Sequence, residues 1–244
     1  MAVWAVPRSA STAFEQMIAQ RGDHHVMSEP FSAAYYDGPE ARSDRFGCTN
    51  PGATFASVRQ QLLDTAATRP VFVKDMACHV LPALDDTLID ACTHTLLVRD
   101  PAQSLASMAR NWPDFTTDEA GFEAMAAVAQ RLDASGANVV VVDTADLRSD
   151  PAGTVQSWCS AVGLDFEPGS LQWEQGMEPG WQRWQEWHQT TSASTGFLPP
   201  EPQSPIIDDP HLLAAVERAQ PVYEALTARR LTPLAGDNVP GHHT

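Results

Sequence analysis

Four short apolar runs, Ala2 to Val6, Val71 to Val73, Thr95 to Val98 and Val139 to Val142, lack the polar alternation of a half-exposed strand. A strand that is apolar at successive positions needs cover on both faces, which a parallel sheet between helices provides. Helical patterns fill the sequence between the runs, so the expected architecture is α/β, with three layers and a parallel sheet flanked by helices. A further strand is expected near His25 to Met27. Asp100 then Pro101, and Asp150 then Pro151, each read as an N-cap followed by proline at the first helical position. Thr116 with Glu119 reads as a capping box.

The bulk numbers exclude several classes. At 244 residues and 43% apolar, the chain can bury a full core, and a single domain over residues 1–244 is expected. Its net charge of −16 argues against nucleic acid, which needs a basic face. No window approaches the roughly 18 apolar residues of a membrane span. The N-terminal apolar run is too short for a signal peptide and no basic region precedes it, so a cytoplasmic protein is expected. Cys48, Cys78, Cys92 and Cys159 are scattered, without a CxxC pair, which points away from a zinc knuckle or a disulfide framework. Cys78 beside His79 could be a nucleophile and its base, but the sequence offers no further partner. The adjacent pairs His24–His25 and His242–His243 lack metal-ligand spacing, and no metal is expected.

Three stretches place cations and hydroxyls where strands should end: PRSAST at Pro7 to Thr12, VKD at Val73 to Asp75, and VRDPAQSLAS at Val98 to Ser107. The first follows a strand and enters Ala13 to Gln20, which has helix-forming composition. A strand, a tight turn and a helix N-terminus cradle phosphate, because unpaired amides and the positive end of the helix dipole point at the anion. Arg8 adds charge, and Ser9, Ser11 and Thr12 add hydroxyl donors. The stretch lacks the GxxxxGK[ST] pattern, so an ATP or GTP site loses its usual warrant. Lys74 is the only lysine in a chain whose other fourteen cations are arginines, which marks a position where a compact charge serves better than a planar fork.

The remaining sequence is less regular. Ser32 to Thr54 interleaves Gly38, Pro39, Gly47, Asn50, Pro51 and Gly52 with Tyr35, Tyr36 and Phe46, and reads as a long loop and an acceptor-binding lid over residues 32–54. Trp181, Trp184 and Trp187, three apart, read as a core-facing helical stripe. Over residues 198–244 a Pro-rich connection, Leu198 to Pro205, leads to a last helix at about Pro210 to Arg230, expected to kink or restart at Pro221, and then to a frayed tail.

Taken in order, PRSAST, VKDMACH, VRDPAQSLAS and VVVVDTADLRSDPAGTVQSWCSAVGLDF resemble the sulfotransferases that use 3′-phosphoadenosine 5′-phosphosulfate, PAPS. The likeness covers roughly residues 2–197 and is greatest to bacterial and fungal members with PRSxSTAFE, a later EPF and KDMAxH. It implies a P-loop-type, sulfotransferase-like sheet, a small-molecule acceptor and 3′,5′-ADP as product. It also implies that Arg8, Ser9, Ala10, Ser11 and Thr12 surround the 5′-phosphosulfate, and that Arg99 and Ser107 bind the second phosphate. Glu29, in SEPF, resembles the carboxylate base of some members, and His79 resembles the histidine base of others. Two departures stand out. The position before His79 is Cys78 where some members have a second histidine, and the RKGxxG loop of cytosolic members is absent; Trp187, His188 and the SASTGF run instead resemble the C-terminal motif of the shorter members, leaving open what closes over the 3′-phosphate.

The chemistry gives the same residues work. Sulfuryl transfer passes through a loose transition state, with charge on the equatorial oxygens and the leaving phosphate, so positioned cations supply most of the catalysis. Lys74 is expected to follow the charge on the bridging oxygen. Two other readings compete: a P-loop kinase of a small metabolite, drawing a magnesium carboxylate from Asp75, Asp100 or Asp143, and a non-catalytic nucleotide-binding module.

Overall fold

A computed structural model describes residues 1–201 and 205–234. The expected frayed tail, with His242 and His243, and the middle of the Pro-rich connection lie outside the described residues. Five strands, β1 Ala2–Ala5, β2 His25–Ser28, β3 Val71–Met76, β4 His94–Val98 and β5 Val139–Asp143, form one sheet in the order β2-β3-β1-β4-β5. Every neighbouring pair is parallel. The helices are α1 Ser11–Arg21, α2 Ser32–Asp37, α3 Phe55–Ala66, α4 Ala77–Val80, α5 Asp86–Asp90, α6 Pro101–Ala109, α7 Thr117–Ala120, α8 Phe122–Ser135, α9 Thr144–Ser149, α10 Pro151–Val162, α11 Gln185–Ser192 and α12 Pro210–Thr227.

The apolar runs are buried on both sides of the sheet, as their lack of alternation requires. Ala2 and Trp4 of β1 face a core shared with Val58, Leu105, Val128 and Ala219 from α3, α6, α8 and α12. Val3 and Ala5 face the opposite core, with Phe14 of α1 and Trp158 of α10. There the Phe14 ring meets Trp158 edge-on, with centroids 4.8 Å apart, a favoured aromatic geometry. Trp4, His94, Thr95 and Trp158 pair inside the core with one another or with backbone. Trp4 Nε1 donates to His94 Nδ1 at 3.0 Å, His94 Nε2 lies 3.0 Å from Ile89 O, and Trp158 Nε1 donates to Thr95 Oγ1 at 2.9 Å. Accepting at Nδ1 leaves the His94 proton on Nε2, and burial keeps this imidazole neutral by lowering its pKa.

Strand order positions the site. The chain moves outward from β1 to β2, returns through β3, and crosses to the other side of β1 for β4 and β5. In an open α/β sheet a ligand crevice opens beyond the carboxyl ends of the strands at such a reversal.

Several expectations are corrected in detail. β3 runs to Met76, so Lys74 and Asp75 are inside the strand rather than beyond it. The 32–54 segment is not irregular throughout, because Ser32–Asp37 is helical and buries Tyr35 and Tyr36. No restart occurs at Pro221: one helix spans Pro210–Thr227, since burial of Ala215, Ala219 and Leu226 offsets the hydrogen bond that proline cannot donate. Phe14 is fully buried, and Phe14→Ala should lower the unfolding free energy by about 3–5 kcal/mol in a urea titration.

Candidate functional site

The turn after β1 is held open from outside. Pro7 O accepts from Ser104 Oγ at 2.6 Å, Arg8 O from Arg99 at 2.7 Å, and Ser9 O from Thr144 Oγ1 at 2.7 Å. Because a trans peptide sets its N–H opposite its C=O, fixing these carbonyls directs the following amides to the other side. Arg8 (φ 59°) and Ala10 (φ 62°) adopt left-handed backbone, and successive amides in such a turn make an anion-binding concavity. α1 then begins without a side-chain cap, leaving its first-turn N–H groups free.

That concavity opens into a cavity of about 280 Å³ lined by Arg8, Ala10, Ser11, Thr12, Glu29, His79, Arg99 and Ser107, among others. Eight of the ten residues expected at the site therefore meet in one cleft. Ser9 and Lys74 do not line it. The Ser9 hydroxyl turns back to Val6 O at 2.8 Å, and Lys74 is fully buried. Backbone strain is concentrated here as well. Among the described residues, Arg8, Ala10 and Glu29 (φ 46°) are the non-glycine residues with positive φ, and all three line the cavity. Such conformations cost about 1–3 kcal/mol each and cluster at functional sites.

The cations are crowded. Arg8 Nε donates to Ser107 Oγ at 3.1 Å and Arg110 donates to the same oxygen at 2.9 Å. Arg148, from α9, also lines the cavity. Burial, then Arg110 and Arg99, hold the Arg8 pKa below its ordinary value. Burial lowers Arg99 too, with Glu201 pulling the other way. A bound anion would relieve both.

On the other side of the cleft, Lys74 Nζ contacts Glu29 Oε1 at 2.6 Å and Glu15 Oε2 at 3.2 Å. Burial favours neutral Glu29, but Lys74, then His79 and His188, outweigh it and hold the carboxyl below the usual range. Lys74 itself is fully buried and lies behind Glu29 rather than on the cavity wall. His79 Nδ1 lies 2.8 Å from Asp75 Oδ1, while Asp75 also accepts from the amides of Phe31 and Met76. Burial works against the imidazolium, but Cys78 and Asp75 outweigh it and push His79 up to about 10.

An aromatic wall completes the cleft. Tyr36, Trp112, Trp184 and Trp187 line it, and Phe46 meets Tyr36, Trp112 and Trp184 with centroids 5.6, 6.3 and 5.8 Å apart. The tryptophan stripe is thus split: Trp181 is core, donating to Glu15 Oε1 at 2.7 Å, while Trp184 and Trp187 face the cavity. Next to Phe46, Arg45 stacks 4.1 Å over Trp112 and pairs with Glu119 at 2.8 Å. His188 lies 3.0 Å from Thr12 Oγ1; burial first, then Lys74, push its pKa down to about 4.

Arg110, Arg148 and His188 were not among the expected site residues. Arg110 had a signal, because it falls one helical turn after Ser107. His188 had one in the likeness of Trp187 and His188 to a C-terminal motif, whereas Arg148 comes together with the rest only through tertiary structure.

Comparisons with known proteins follow the same lines. A family profile described as sulfotransferase domain matches residues 1–230. Among curated proteins, branched-chain-amino-acid aminotransferase-like protein 2 of Arabidopsis thaliana is 28% identical over 208 residues, covering 81% of this chain and 36% of the relative. Its counterpart, protein 1, is 25% identical over 233 residues, covering 91% of this chain and 40% of the relative. The chain thus spans two fifths or less of the length of these relatives. Among solved structures, the sulfotransferase domain of the Synechococcus PCC 7002 olefin synthase superposes with a TM-score of 0.53 at 17% identity, covering 89% of this chain and 92% of that one. The likeness supports the fold. No helix among the described residues is long and apolar enough to cross a membrane.

Removing Lys74 would leave two buried carboxylates without their cation. Lys74→Met should therefore lower the unfolding free energy by about 3–5 kcal/mol in denaturant titration. An unchanged midpoint would show that the two glutamates do not share this amine.

Proposed function

The chain belongs to the sulfotransferase-domain family, and from that premise we propose that it moves a sulfuryl group from PAPS to a hydroxyl or amine of a small molecule. One observation carries the reading. Arg8, Arg99, Arg110 and Arg148 line one cleft beside an amide concavity, while two of its carboxylates, Glu29 and Glu119, are already paired with Lys74 and Arg45. That excess of directed positive charge fits a ligand with phosphates at both ends.

When bound, PAPS supplies an activated sulfuryl group and a phosphate leaving group. Arg8 and the amides from Ser9 to Thr12 hold the 5′ end and neutralise charge as the bond to sulfur breaks. Arg99 and Ser107 hold the 3′-phosphate. Tyr36, Trp112 and Trp184 orient an acceptor with an apolar or planar face, and residues 32–54 act as the lid over it, fastened by Arg45. Glu29 takes the acceptor proton. It faces the cavity, is ionised at neutral pH, and Lys74 positions it from behind. His79, charged at neutral pH, adds an electrostatic contribution rather than accepting a proton.

The kinase reading finds its carboxylates engaged: Asp75 with His79, Asp100 capping α6, and Asp143 capping α9. The aminotransferase of the curated relatives' names is not carried over. That chemistry uses a lysine amine to hold an aldehyde cofactor, and the sole lysine here is buried between two glutamates.

Thermal shift separates the first two readings. 3′,5′-ADP without metal should raise the melting temperature, and ATP with magnesium should not match it. Sulfate transfer from PAPS to any member of an acceptor library excludes a purely binding module. The base is decided by pH. With Glu29, held below the usual carboxylate range, kcat should be flat from neutral pH down to that range and fall as the carboxylate protonates. With His79, activity would instead climb as pH approaches about 10. Glu29→Gln should lower kcat by about 100-fold or more; a greater loss in His79→Asn, with a rising alkaline limb in the wild type, would reverse the assignment.

A further inference from the structure

The segment after α11 lines the cleft through Gly196, Phe197, Leu198 and Glu201, and Glu201 sits between arginines from two strand ends. Arg99, directly after β4, donates to Glu201 Oε1 at 2.6 Å. Arg148, in α9 after β5, reaches the same oxygen at 3.3 Å and is steadied by Leu198 O, which accepts from its Nε at 3.0 Å. The other donations from Arg99 go to Arg8 O and Gln103. One Arg99 nitrogen and one from Arg148 thus converge on a point occupied by a single carboxylate oxygen.

The two sides of this contact differ in character. The Arg99 side chain is 7% exposed and the Arg148 side chain 13%, whereas that of Glu201 is 41% exposed. The arginines belong to the built wall of the cavity, while the carboxylate reaches in from the surface. Glu201 is the exposed partner and can return to water, whereas the two enclosed arginines left without an anion keep their mutual repulsion. A phosphate offers them more oxygens and more charge than a carboxylate.

We propose that Arg148 is the second cation of the phosphate subsite at Arg99, and that Glu201 is an internal anion occupying this subsite until a nucleotide 3′-phosphate displaces it. The inference rests on the nucleotide reading above and adds to it a residue and a competitor. It also gives the subsite a closing cation despite the missing RKGxxG loop. The two residues then have effects of opposite sign. Arg148 helps the phosphate, and Glu201 competes with it.

The test is isothermal titration of the full chain and its variants with 3′,5′-ADP and with 5′-AMP, which lacks the 3′-phosphate. Arg148→Gln should weaken 3′,5′-ADP binding by roughly tenfold, and Glu201→Gln should tighten it several-fold, in keeping with charge-assisted hydrogen bonds. Both should leave 5′-AMP within about twofold of wild type, because the effect belongs to the 3′ end. Weakening by both variants, no change in either, or equal changes for the two nucleotides would overturn the proposal while leaving the sulfotransferase reading intact. Failure of the wild type to bind 3′,5′-ADP would defeat that reading and this inference with it.

Discussion

The three carbonyls of Pro7, Arg8 and Ser9 constrain the rest of the site. Their donors come from α6, the end of β4 and the start of α9, which are contiguous in space only because β4 and β5 lie successively beside β1. Left-handed backbone at a residue with a side chain persists when its surroundings over-determine it, and a carbonyl gripped from another element provides such a surrounding. The strain at Arg8 and Ala10 is therefore maintained by the sheet. Thr144 extends the coupling, donating through one hydroxyl to both Ser9 O and Val98 O, so the turn after β1 and the end of β4 are set by the same side chain.

Charge is organised on the same local scale. A net charge of −16 disfavours a polyanion at long range, but screening confines that field to roughly 8–10 Å at physiological salt. Within this distance the cleft presents Arg8, Arg99, Arg110 and Arg148, from the turn after β1, the end of β4, the residue after α6, and α9. Paired carboxylates are placed behind or beside them. Glu119 is consumed by Arg45, Ser43 and the Thr116 amide, so it anchors the 32–54 segment while its charge is already compensated.

Much of this was legible in the sequence. Unbroken apolar runs at Ala2 to Val6 and Val139 to Val142 reported a sheet covered on both faces, because burial acts on every residue of such a strand. PRSAST and Arg99 with Ser107 were legible because a strand end followed by a helix start fixes geometry over a few residues. What stayed hidden depends on long-range contacts. Ser104 and Thr144 look like ordinary helix residues until their hydroxyls meet carbonyls 97 and 135 positions away. Lys74 was conspicuous by composition, yet composition cannot tell a lysine facing a ligand from one enclosed by Glu15 and Glu29. The helix does not restart at Pro221, because the helix propensity penalty is local, whereas the packing of α12 against α6 and α8 is not.

The enclosure of Lys74 bears on how Glu29 could accept a proton. A carboxylate held by a buried ammonium at 2.6 Å is ionised but weakly basic, since the pairing that keeps it charged also lowers its affinity for a proton. Glu15 moderates that pairing. It approaches the same Nζ at 3.2 Å and is itself fixed by Ser28 Oγ at 2.9 Å and Trp181 Nε1 at 2.7 Å, so the ammonium is divided between two carboxylates. If Glu29 is protonated during transfer, Lys74 keeps Glu15 as a full partner, and no buried charge is left uncompensated. The indole that anchors Glu15 also stacks on His188, with centroids 5.1 Å apart. His188 reaches Thr12 at the start of α1, tying the Glu15–Lys74–Glu29 cluster to the turn after β1 through one packed set of side chains.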